Sequence, residues 1–117
     1  MARRLNTERQ IDRYIDNIAN EARHHAQAVQ DAIWPLAKAV RLKLNLGTDK
    51  IEIYERNGNL ARTCWVTIGG RRCAFSYDYP SQKIVIRDRS LQGRVIFQCD
   101  NSTAVRAITR AINDIWH

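Results

Sequence analysis

Residues 50–99 read KIEIYERNGNLARTCWVTIGGRRCAFSYDYPSQKIVIRDRSLQGRVIFQC, and this stretch decides the fold. Apolar and polar side chains alternate through it with a period of two, the signature of strands with one buried face. Lys50–Arg56 ends in Asn57-Gly58, the dipeptide best suited to a two-residue hairpin turn. Leu60–Ile68 returns and stops at Gly69-Gly70. Arg71–Tyr79 follows and is closed by Pro80-Ser81. Lys83–Arg89 and Arg94–Cys99 complete five expected strands in an antiparallel meander. The linkers between them are too short to hold a domain boundary.

Upstream the period changes to that of a helix. Thr7 and Gln10 match a capping box, so a helix is expected to start at Glu8. Ile11, Ile15, Ile18, Ala22, His25, Val29, Ala32, Leu36 and Ala39 follow at spacings of three and four, forming an apolar stripe. Pro35 predicts a kink or break near residues 33–35, with the helix resuming through Val40 and Gly47 just beyond its end. The helical segment is thus 8–46. Downstream, residues 102–116 read as a C-terminal helix capped by Ser102 or Asp100, with Val105, Ile108, Ile112 and Ile115 on its apolar side. The expected fold is a single α+β domain over 1–117: an N-terminal helix or kinked helix pair, a five-stranded antiparallel meander over 50–99 and a C-terminal helix, in two layers. A straight helix over residues 8–45 would run about 57 Å, against a radius of gyration of about 13 Å for a globule of this length. Either the helix folds back or its stripe packs on a second copy, and a homo-oligomer built partly on the N-terminal helix is the expectation.

Composition excludes several classes. The chain has 117 residues, 44% hydrophobic and 26% charged, which is ordinary globular usage and not that of a disordered chain. No apolar run is long enough for a membrane span, and the basic N-terminus leads into Thr7-Glu8-Arg9-Gln10, not into a signal-peptide core. Cys64, Cys73 and Cys99 show neither a disulfide framework nor metal-ligand spacing, so reduced thiols in a cytoplasmic protein are expected. Nineteen basic residues stand against twelve acidic ones, for a net charge of +7, and fifteen of the nineteen are Arg. That balance points to an anionic partner, and the guanidinium fork suits phosphate.

Catalytic patterns are missing from the sequence. His24 and His25 diverge by about 100° on a helix and cannot chelate one metal together. No nucleophile elbow, zincin motif or phosphate loop occurs, so neither an enzyme nor a cofactor is expected. Anion-binding residues are better represented. Between Arg56 and Arg94 lie eight basic residues and two acidic ones. Alternation sets Cys73, Phe75, Tyr77 and Tyr79 on one face of their strand, where they serve either as core or as a stacking row. Arg106 and Arg110 share one side of the C-terminal helix, where like charges destabilise each other by about 0.2–0.5 kcal/mol. A bound phosphate would relieve that repulsion, and Asn101-Ser102 would add hydrogen-bond donors beside it.

Ala61–Tyr79, the stretch Asp100-Asn101-Ser102-Thr103 and the pair Arg106/Arg110 together resemble the phage anti-Thoeris proteins that act as cyclic-nucleotide sponges. The resemblance implies a small, non-enzymatic protein of the host cytoplasm. It would sequester cyclic ADP-ribose-type immune signals at subunit interfaces and so antagonise antiphage defence. It further implies Arg106 and Arg110 as phosphate ligands, Tyr79 or Phe75 as the adenine-stacking residue, and Asn101 as a hydrogen-bonding residue. Arg23 would belong to a second interface site. Two other functions fit the residues: a basic nucleic-acid-binding module using an open sheet face, and a phage inhibitor acting through protein–protein contact.

Overall fold

The computed structural model describes residues 2–56 and 59–117. Its elements in chain order are β1 (Ala2–Leu5), α1 (Glu8–His25), a short 3-10 turn (Gln27–Val29), α2 (Ile33–Lys43), β2 (Lys50–Arg56), β3 (Asn59–Ile68), β4 (Arg71–Asp78), β5 (Lys83–Asp88), β6 (Val95–Cys99) and α3 (Val105–Ile115). The strands form one antiparallel sheet in sequence order. The α+β class and the meander therefore stand as expected, with six strands in place of five. β1 adds the sixth along the free edge of β2, pairing Leu5 with Ile51. Four residues reading Ala-Arg-Arg-Leu carry too little alternation to announce a strand, and the adjacent arginines suit an edge. The expected Asn57-Gly58 turn lies outside the described residues. At the Gly69-Gly70 turn both glycines take positive φ (57° and 84°), a region closed to most side chains.

Register defines the two faces of the sheet. Ile53, Cys64, Phe75, Ile86 and Phe97 lie in one row across β2–β6, and Ile51, Val66 and Cys73 in the next. These rows point at the helices and form the core with Ile11, Ile15 and Ala22 of α1, Leu36 and Val40 of α2, and Ile108 and Ile112 of α3. Trp116, just past α3, stacks on Phe75 at 6.1 Å with planes 9° apart, and its indole N–H donates to the Arg71 carbonyl.

The capping box is present: Gln10 N–H donates to Thr7 Oγ1 and Gln10 Oε1 accepts from Thr7 N–H. The helix break, however, comes at Ala26 (φ −148°, ψ 55°) and not at Pro35. Pro35 sits in the first turn of α2, where its missing N–H costs nothing because first-turn donors have no intrahelical partner. His25 falls outside the core and is exposed, while Ala26 takes its place in the stripe. Gly47 does not close α2, which ends through Leu44 in an extended conformation. α3 begins at Ala104 without a side-chain cap, because Asp100, Ser102 and Thr103 spend their polar atoms on one another. The fold-back at Ala26 removes the 57 Å helix: the radius of gyration is 13.1 Å and the stripe is buried against the chain's own sheet.

Candidate functional site

The sheet face away from the helices carries cations and aromatic rings side by side. Register sets Arg4, Glu52, Trp65, Ala74, Arg87 and Val95 in one row across β1–β6, with Lys50, Thr67 and Arg72 in the row beside it. The Arg72 guanidinium lies over the Trp65 ring, 5.5 Å from its centroid, and donates to the Arg89 carbonyl at 3.2 Å. Ala74, between Trp65 and Arg87, is fully buried even though it points away from the core. Arg4 is fixed at the β1 edge by a hydrogen bond to the Asp49 carbonyl (3.2 Å), and Tyr54 adds a ring that is 38% exposed. From Arg4 on β1 to Arg87 on β5 the row spans four strand spacings, about 19 Å. The Thr67 hydroxyl in this layer has no hydrogen-bond partner among the described residues. Such a surface offers π-faces for stacking and forks for phosphate on a rigid support.

The family model described as "Integron cassette protein VCH_CASS1 chain" matches residues 11–109. The chain belongs to this family. The matched span runs from the first turns of α1 into α3 and so includes β2–β6 with their open face. No curated protein matches the chain.

The residues singled out from the sequence lie on different elements. Arg106 and Arg110 are exposed on α3, on the side opposite Ile108 and Ile112, and make no hydrogen bond or ion pair among the described residues. Phe75 is a core residue, buried against Trp116. Tyr79, just past β4, is 58% exposed with its ring edge-on to Tyr77 at 4.8 Å. Asn101 ties the β6–α3 connection to the helix break: its Nδ2 donates to the Gln27 carbonyl (2.7 Å), its Oδ1 accepts from Asp31 N–H (2.8 Å), and its own N–H donates to the Ala28 carbonyl (2.8 Å). Arg23 lines a surface groove of about 570 Å³ with Asp16, Asn20, Gln30, Asp31 and Trp34. Two carboxylates there outweigh one guanidinium, which does not favour an anion.

Arg72 is one of the eight basic residues between Arg56 and Arg94, and alternation marks Trp65, which the sequence patterns above do not single out, as its neighbour on the same face. Trp65 falls between Cys64 and Val66, so it must face opposite to the core, and Arg72 precedes Cys73 in the same way. Burial pushes the Cys64 thiol up to about 12 and Cys99 up to about 11, and raises Cys73 too. All three stay protonated at neutral pH and are weak nucleophiles. Among the described residues no cluster of His, Cys, Asp and Glu has the arrangement of a metal site, and no helix is long and apolar enough to cross a membrane.

Proposed function

We propose that the protein is a non-catalytic nucleic-acid-binding module that holds a single strand across the open face of its sheet. The supporting observation is Arg72 stacked on Trp65, with Arg4, Lys50 and Arg87 on neighbouring strands of the same face. Bases stack on the indole while guanidinium groups hold the phosphates, and neither contact requires a particular sequence. Fluorescence anisotropy with a labelled 12-nucleotide single strand tests this. Neutralising three or four phosphates gives a log–log salt slope of about −2 to −3. Trp65→Ala is expected to weaken binding by about 5- to 150-fold, and Arg87→Ala to flatten the slope by about 0.7. Salt-independent binding, or variants indistinguishable from the parent, would count against the module.

A second reading rests on the α3 arginines. Two outward guanidinium groups one turn apart, without partners among the described residues, suit the phosphates of a small cyclic nucleotide of the cyclic ADP-ribose type. A second copy of the chain would complete the site, and the outcome would be sequestration of an antiphage signal. Calorimetric titration with cyclic ADP-ribose isomers and cyclic dinucleotides is the measurement. Arg106→Ala and Arg110→Ala should each lower affinity about 10- to 150-fold without lowering the melting temperature. Intact ligand recovered after heat denaturation distinguishes sequestration from hydrolysis. No binding below about 10 μM, or about −7 kcal/mol, rules this reading out.

A further inference from the structure

We infer that the core contains a binding cavity for a small uncharged aromatic molecule, on the opposite side of the sheet from the open face. Between α1, α2 and the sheet lies a cavity of about 150 Å³, walled by Ile11, Ile15, Val29, Leu36, Val66 and Phe75 among others. Packed interiors keep few voids much larger than a water molecule. This one exists because the helices present alanines to it: Ala22, Ala26 and Ala37 stand where branched side chains would close the gap.

The chemistry of the wall selects the occupant. Nearly all of the lining is hydrocarbon. Burial raises two ionisable groups of the wall, the Tyr14 hydroxyl and the Cys64 thiol, so both stay uncharged at neutral pH. Arg41, at the edge, is ion-paired with Asp12. Of the other polar residues of the wall, Glu21 is exposed and Ser76 half-buried, so the buried part of the lining offers little to a water that needs two to four polar partners. A charged ligand would lose its hydration against a wall that is almost wholly hydrocarbon. A dry apolar void of about this size accepts benzene or xenon. Ile18 and Ala37, only half-buried on α1 and α2, mark the side from which such a molecule enters.

The cavity is independent of the proposed nucleic-acid face, since Cys64 and Val66 of β3 point into it while Trp65 between them points away. The experiment uses the full chain titrated with toluene and with indole, followed by methyl-resolved NMR and by thermal melting. Saturable shifts confined to the Ile15, Val29 and Leu36 methyls are expected, with a melting temperature that rises with ligand concentration. Benzoate and benzylammonium should bind at least about tenfold more weakly because they carry charge. Ala22→Leu and Ala37→Leu fill the space and should each weaken toluene binding at least about tenfold while the chain stays folded. Xenon NMR on the unsubstituted protein reads the cavity directly should a filled variant fail to fold. The inference is overturned by any of three results: no saturable shift up to the solubility limit of toluene, charged analogues binding equally well, or a folded filled variant that binds toluene unchanged.

Discussion

Asp49 shows how much of this fold hangs on single polar atoms. Its buried carboxylate accepts the Asn45 N–H at 2.8 Å and the Gly69 N–H at 3.1 Å, joining the α2–β2 connection to the β3–β4 turn. Its own carbonyl also accepts from Arg4, so one residue links three connections. Asp49→Ala strands two backbone donors in a buried place, at roughly 1–3 kcal/mol for each that finds no water. Urea denaturation is expected to show a loss of about 3 kcal/mol, and Asp49→Asn less, because an amide oxygen still accepts one bond. None of this was legible in Thr48-Asp49-Lys50, which reads as ordinary turn chemistry before a strand. Asn101 repeats the lesson: it was singled out as a ligand donor because an Asn ahead of a helix has that look. Its amide is engaged by Gln27 and Asp31, some seventy positions away in the chain. Local sequence reports which groups can hydrogen-bond, while the partner is a property of the fold.

Elements were more legible than residues wherever periodicity ran long. Five strands and the start of α1 fall within a residue or so of their expected positions because each carries several cycles of its period and a turn or cap signal. The failures came where tertiary contacts overrode local preference. α1 stops at Ala26 with no breaker in the sequence, because Asn101 recruits the backbone of the following turn. α3 starts three residues past Ser102 because the polar residues before it close their own loop. That loop has a measurable pH signature. The Lys83 ammonium (2.8 Å from Asp100) and the Ser102 N–H and hydroxyl hold the Asp100 carboxyl far below the usual carboxylate range. A carboxyl whose folded value lies below its unfolded value of about 3.9 stabilises the fold fully above that value. The contribution is lost as pH falls through the folded value. The expected outcome is a melting temperature that declines below about pH 4, with Asp100→Asn melting lower at neutral pH and showing a shallower acid decline. An unchanged acid limb in that variant would place the acid sensitivity elsewhere.

At the scale of the molecule, one sheet separates two environments. Its helix side holds the core and the apolar cavity, and its other side presents cations and rings to solvent, so the period-two alternation of β2–β5 encodes both the packing and the candidate interface. The same layering bears on assembly. A stripe from Ile11 to Ala39 looked too long for one small sheet, which was the reason for expecting a second copy along the N-terminal helix. Folding back at Ala26 lets α1 and α2 lie on the same sheet, and Ile11, Ile15, Ala22, Leu36 and Val40 are all buried within a single chain. Ile15→Glu therefore puts an unpaired carboxylate into the core and not into a separable interface. Buried charge without a partner is among the few changes that cost more than about 4 kcal/mol. That is a large part of the stability of a domain this size. Circular dichroism and urea titration should show the cooperative transition lost or shifted to very low denaturant. Light scattering on the same sample distinguishes the alternative: a variant that keeps the parent's urea midpoint while its mass halves would assign the stripe to a partner chain and place the homo-oligomer on α1 after all.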